Sequence, residues 1–149
     1  MRFFIYNRVM IMIGIDYGDA RTGMAKVDTA CPIVTPLETI KDRSVESTAA
    51  KAAEMICAQN AERVVIGLPK NMDGSLGFRA EKVQLFADLL REKISCEIVF
   101  FDERLTSCYA HTVMNMTDTR GKKRKEEVDA LAATIILQNY VDSLSSRPL

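Results

Sequence analysis

The sequence predicts an α/β fold: a mixed five-stranded sheet flanked by helices on both faces. Three observations carry that expectation. Short strand-like segments separated by glycine, proline and turn residues run from Ile11 to Ile40. Helical segments then alternate with apolar strands, in the order helix, strand, helix, strand, helix. Several strands are apolar at consecutive positions, the mark of strands covered on both sides. Three strands that turn back on one another, then two reached through helices, give a sheet with antiparallel and parallel pairs.

The first strand is Ile11-Met12-Ile13-Gly14-Ile15, and Asp16 ends it before the turn Tyr17-Gly18-Asp19-Ala20-Arg21-Thr22-Gly23. A lone buried charge is costly unless it is paired or binds a metal. Asp16 therefore sits at a strand mouth or has a partner, unless it simply begins a turn. Thr22 to Val27 returns as a second strand. Pro32 and Pro36 break the chain before a third, Leu37-Glu38-Thr39-Ile40.

Ser44 offers an N-cap to an alanine-rich helix over Ser47 to Gln59, with Val45, Ala49, Ala52, Ala53 and Ile56 at helical spacing. Arg63 to Leu68 is a strand halted by Pro69, and Asn71 to Gly77 is a glycine-bearing loop. A long helix follows with Val83, Phe86, Ala87, Leu90 and Ile94 as its stripe. Glu97 to Phe101 is the next strand, ending in Asp102-Glu103-Arg104. Thr106 caps a shorter helix to about Met116. Thr117 to Lys125 reads as a polar, basic, mobile stretch, and the final helix as about Glu126 to Ser143. Residues 12–144 form one domain on this reading, after an N-terminal extension of residues 1–11 and before a loose tail of residues 145–149.

A chain of 149 residues suits one domain and needs no metal or disulfide staple to bury a core. Its formal net charge is zero, so a nucleic-acid partner would have to be held by local patches. Cys31, Cys57, Cys96 and Cys108 contain no Cys-x-x-Cys pair, and with one histidine they give no zinc spacing. Free thiols in a reducing cytosol are expected. No signal-peptide cleavage site and no run of transmembrane length are present, which points to a cytoplasmic protein with no membrane partner.

Three carboxylates stand out by position. Asp16 and Glu103 each follow a buried strand, and α/β sites lie beyond the carboxyl ends of strands. Glu103 alternates with Val99 and Phe101, and Asp102 with Ile98 and Phe100, so these two acids face opposite ways. Asp129 heads a helix face continued by Ala133, Ile136 and Tyr140. Each acid alone has an ordinary explanation: a turn, a loop salt bridge, or a helix-dipole interaction. Together they would repel one another unless they bind hard cations such as Mg²⁺ through oxygen ligands. Carboxylate-held metals activate water and stabilise the leaving oxygen of a phosphodiester.

The basic run Arg120-Gly121-Lys122-Lys123-Arg124-Lys125 precedes Asp129 and could grip phosphates, although a solvated loop explains it too. Leu68 to Ser75 lacks the Gly-Lys-Ser/Thr ending of a P-loop, yet its backbone could cradle a phosphate with Lys70 and Arg79 nearby. Ser107 and His111 stand four apart but have no third triad member.

At these residues the sequence resembles the YqgF/RuvX family, which has an RNase H-like fold. The matching stretches are Gly14-Ile15-Asp16-Tyr17-Gly18 with Arg21 and Gly23, Val65-Ile66-Gly67-Leu68-Pro69, Met72-Asp73-Gly74-Ser75, Asp102-Glu103-Arg104-Leu105-Thr106-Ser107 and Val128-Asp129-Ala130-Leu131-Ala132-Ala133 with Ile135-Ile136-Leu137-Gln138. They run in order from about Met12 to Leu144. The family is described as Holliday junction resolvases and as nucleases maturing the 5′ end of pre-16S rRNA.

The resemblance implies that Asp16, Glu103 and Asp129 are the catalytic, metal-binding acids, with Mg²⁺ or Mn²⁺ as cofactor. It implies a nucleic-acid partner, structured pre-rRNA or branched DNA, for which Arg21, Lys70, Arg79, Arg104, Lys122, Lys123, Arg124 and Lys125 are the candidate binding residues in this sequence. The protein would act as a monomer or a homodimer. It also implies that the strand ending at Gly67-Leu68-Pro69 lies between those of Asp16 and Glu103. Asp19-Ala20 departs from the family's common Thr-Lys, and Lys26 from a small or hydroxylic residue; both could alter substrate grip. Two other classes stay open. A non-catalytic nucleic-acid-binding module would bind RNA in EDTA. A sugar- or acetate-kinase-like ATPase would need two such domains.

Overall fold

The computed structural model describes residues 9–69, 76–102 and 121–145, with side chains in the last segment from 130 to 144. Five strands lie in the order β3-β2-β1-β5-β6: β1 (Ile11–Asp16), β2 (Arg21–Asp28), β3 (Cys31–Pro36), β5 (Arg63–Leu68) and β6 (Glu97–Asp102). A two-residue β4 (Ile40–Lys41) bonds to β2 beside Arg21 and Thr22. Pairs β1–β2 and β2–β3 are antiparallel, while β1–β5 and β5–β6 are parallel. The sheet is mixed, as the sequence predicts, and β5 lies between β1 and β6.

Alternation along the strands divides the core in two. Ile13, Ile15, Met24, Val64 and Ile66 face α1 (Val45–Ala58) and α2 (Phe78–Arg91), where Ala52, Ile56, Phe86 and Leu90 meet them. Met12, Ala25, Val27 and Val65 face the opposite way, against Ala133, Ile136, Leu137 and Tyr140 of α3 (Gly121–Ser145). Both faces of the sheet are thereby covered. This is why β1 is apolar at consecutive positions: Met12 through Ile15 are all buried.

The helix readings hold with shifted ends. Ser44 is the N-cap of α1, its hydroxyl accepting the Ser47 N–H at 3.1 Å. The stripe of α2 is Ala80, Val83, Phe86, Ala87 and Leu90; Ile94 packs on the same core from beyond the helix end.

Two expectations are corrected. The third strand is not Leu37 to Ile40 but β3, which contains both Pro32 and Pro36. Proline cannot donate to a ladder, so it is confined mainly to edges, and β3 is the edge; five of its six residues are exposed. The final helix does not begin near Glu126 but at Gly121, so Lys122 to Lys125 are helical rather than loop. Lysine and arginine are good helix formers, and Lys122 and Lys123 stand four residues before Glu126 and Glu127, a favourable spacing. The helix placed after Thr106 falls outside the described residues.

Asp42 fastens the turn after β1 to the start of α1. Its carboxylate accepts from the Ser47 hydroxyl, the Ser44 N–H at 2.9 Å and Lys51 Nζ at 2.9 Å, while its own N–H donates to Ala20 O at 3.1 Å. These donors, the Ser47 hydroxyl foremost, hold the carboxyl well below the usual carboxylate range. A depressed folded pKa means stability that is present above the unfolded pKa, about 3.9, and lost as pH falls below it. The gap in thermal midpoint between wild type and Asp42→Asn should be full and constant above pH ~5 and shrink as pH falls through ~4. A gap that is flat down to the acid limit would show that this carboxylate's charge contributes nothing.

Candidate active site

The carboxyl end of the sheet is built around the junction of β1 with its turn. Asp16 pairs with Gly23 of β2 and shares the face of Met12 and Gly14, the face covered by α3. The β5 residue following Ile66, the partner of Ile15, is Gly67, and Gly67 in turn pairs with Phe101. Asp16, Gly67 and Phe101 therefore lie at one level across three strands. Val99 and Phe101 pack on the α3 side, and Ile98 and Phe100 on the other, in agreement with the alternation read from sequence.

Gly14 decides how closely α3 approaches. A Cβ at this position would lie 2.7 Å from Leu137 Cβ and 3.0 Å from the Ala133 carbonyl oxygen. Only a residue without a side chain allows the helix backbone to rest on the strand here. Asp129 is four residues before Ala133, about 6 Å along the axis. Asp16 is two residues beyond Gly14, about 6.6 Å along the strand.

The turn itself is closed tightly. A Cβ on Gly18 would come within 2.4 Å of the Arg21 carbonyl oxygen. Thr22, fully buried, receives the Gly18 N–H on its hydroxyl at 3.4 Å. Tyr17 stacks on Phe86 with ring centroids 4.7 Å apart, which fixes the turn to α2. Burial, with the negative charges of Asp19 and Glu46, raises the Tyr17 phenol above its ordinary pKa.

A small cleft of about 50 Å³ opens beside this turn, lined by Tyr17, Gly18, Asp19, Arg79, Lys82 and Val83. Arg79 is thus next to the residues that follow Asp16. Arg21 begins β2, opposite Lys41 of β4. The two departures from the family pattern have local partners. Asp19 is bridged by Lys82 at 3.3 Å, and Lys26 donates to the Gln59 side chain at 2.9 Å on the α1 side of the sheet, away from α3.

Glu103, Lys70 and Arg104 fall outside the described residues, as do Cys108, Ser107 and His111; Lys122 to Lys125 and Asp129 are placed by backbone alone. Among the described residues no three metal-ligating side chains converge, and no helix is long and apolar enough to cross a membrane. Cys31, Cys57 and Cys96 are free thiols. The sequence reading missed Lys82, which lines the cleft, and Phe78, whose ring lies under Lys82 Nζ. Phe78 lies out of phase with the buried stripe of α2, and an aromatic residue out of phase was the available signal.

Residues 10–143 match the family described as RuvX, Holliday junction resolvase. The chain belongs to the RuvX family. A RuvX relative from Caldanaerobacter subterraneus subsp. tengcongensis, named "Putative pre-16S rRNA nuclease", is 42% identical over 90% of this chain and 97% of its own length. Two solved structures share the fold at low identity. RuvC of T. thermophilus in complex with Holliday junction substrate covers 94% of this chain and 99% of its own, with TM-score 0.57 and 17% identity. The Fowlpox virus resolvase with Holliday junction DNA covers 91% and 99%, with TM-score 0.58 and 13% identity. The RNase H-like architecture expected from the sequence is the one these resolvases share.

Proposed function

We propose that this RuvX protein is a divalent-metal-dependent nuclease that hydrolyses phosphodiester bonds in structured RNA, acting in the cytoplasm in 5′-end processing of pre-16S rRNA. The observation that carries the reading is the contact of Gly14 with Ala133 and Leu137. Asp16 is two residues beyond Gly14 on β1 and Asp129 four residues before Ala133 on the helix that covers this face, which supports reading the two acids as one group. In sequence Glu103 continues the alternation of Val99 and Phe101, and the strand those two occupy, β6, is separated from β1 by β5. An all-carboxylate donor set suits Mg²⁺ or Mn²⁺. The half-exposed Asp16, at the open end of a central strand, fits such an ion better than a buried one.

Asp16, Glu103 and Asp129 would hold the cation, which supplies water activation and charge stabilisation at the scissile phosphate. Arg21, Lys70, Arg79, Arg104 and the four cations Lys122, Lys123, Arg124 and Lys125 would bind the phosphates on either side. RNA is preferred to branched DNA because the relative sharing 42% of residues carries the rRNA name, whereas the junction-bound structures share 17% and 13%.

The test is cleavage of a pre-16S rRNA 5′ fragment and of a four-way DNA junction, with Mg²⁺, after EDTA, and after Mg²⁺ is restored. Cleavage of the RNA that stops in EDTA and returns with Mg²⁺ is expected. Cutting of the junction alone, by a symmetric dimer, would move the substrate to branched DNA. RNA binding that survives EDTA with neither substrate cut would leave a non-catalytic binding module.

A further inference from the structure

At the start of α2 the chain exposes a large aromatic side chain. Phe78 is 71% exposed, against full burial of Phe86 two turns later on the stripe. Leaving an aromatic ring in water forgoes the free energy of burying it, and the ring lies beside a cation. Lys82 Nζ sits 4.7 Å from the Phe78 ring centroid and is itself held by both carboxylate oxygens of Asp19 at 3.3 Å. Arg79 lines the same cleft beside Tyr17 and Gly18. The sequence from Phe78 through Lys82 and Asp19 thus leads to the turn that begins one residue after Asp16.

From this arrangement we propose that Phe78 is a stacking platform for an unpaired base of the substrate, with Arg79 and Lys82 engaging the phosphates that flank it. The proposal rests on the nuclease reading and narrows its substrate: the strand entering the cleft is single-stranded next to the scissile bond. Unpaired bases stack on exposed aromatic rings regardless of sequence, whereas a duplex keeps its bases inside. Lys82, pinned by Asp19, leaves most of the ring open. Leu76 and Leu85, each about half exposed, extend the apolar surface. The adjacent Arg79 and Lys82 favour a polyanion over an apolar protein partner.

The experiment uses the full chain carrying Asp16→Asn, so that RNA is bound without being consumed, and reads fluorescence anisotropy. The probes are a duplex RNA with a short single-stranded extension and the same duplex with blunt ends. Phe78→Ala should weaken binding of the extended RNA roughly tenfold and change the blunt duplex less than twofold. Phe78→Trp should restore the affinity. Because the chain contains no tryptophan, that residue's emission reports contact directly, and the extended RNA should quench it where the blunt one does not. Equal binding by wild type and Phe78→Ala, or equal losses on both RNAs, would overturn the platform and leave the nuclease reading intact. A Phe78→Ala change that alters only the solution mass would assign the patch to self-association instead. Failure of the Asp16→Asn parent and wild type to bind either RNA would overturn both readings.

Discussion

Asp16→Asn should reduce Mg²⁺-dependent cleavage by a hundredfold or more while leaving the fold in place. The substitution keeps the size and one oxygen of the side chain and removes its charge. Met12 to Ile15, the buried part of β1, are unaffected, so thermal unfolding should move by no more than a few degrees. Loss of an outer-shell partner of a metal ligand typically costs about 10–100-fold, and loss of the ligand's own charge should cost at least the upper end of that range. Asp88→Asn is the matching control. Asp88 is an exposed acid on α2 paired with Arg91 at 2.8 Å, an i,i+3 contact of the kind worth little. It should cleave at a rate within twofold of wild type. Raising Mg²⁺ should recover part of the Asp16→Asn activity if the charge serves to bind the ion. Equal rates in Asp16→Asn and wild type would remove Asp16 from the site.

Much of this architecture is visible in the chain because burial on two sides leaves a strong local mark. β1 and β5 read as strands since nearly every position is apolar, and β5 ends at Leu68, just before the proline read as its stop. Ser44 read as a cap because its hydroxyl works on an amide three residues away, a contact wholly local in sequence. β3 was illegible for the opposite reason. An exposed edge strand carries little hydrophobic pattern, and its two prolines resemble loop punctuation. The first turns of α3 were missed because charged residues stabilise a helix by propensity, without an apolar stripe to announce it.

The site divides along the same line. That Asp16 ends a strand is local information. The proposal that Asp129 joins it rests on a contact between residues 14 and 133, far apart in sequence, and on a glycine whose purpose shows only once the helix is laid on it. Within β1 alone Gly14 is merely an unfavourable strand residue. Phe78 shows the converse case: its exposure is meaningful only after the stripe of α2 is known to pass it by.

Gly14→Ala should therefore cost activity out of proportion to its size. The added methyl would meet Leu137 Cβ at 2.7 Å and the Ala133 carbonyl oxygen at 3.0 Å. Neither is the end of a flexible side chain, so α3 must lift or slide as a body. Overpacking of this kind costs about 1–3 kcal/mol, visible as a lower denaturant midpoint with unchanged slope. The larger effect is geometric. Asp129 travels with α3 while Asp16 stays on β1, and a shift of about 1 Å in a catalytic constellation can cost on the order of a hundredfold in rate. Val65→Ala supplies the comparison, because Val65 is Gly14's partner across β1–β5 and lies on the same face. It destabilises by leaving a cavity, at a cost comparable to the overpacking, and pushes nothing toward α3. At a temperature where both variants are fully folded, Gly14→Ala should cleave tens of times more slowly than Val65→Ala. Equal rates at matched stability would mean that the approach of α3 to β1 serves the core and not the acids.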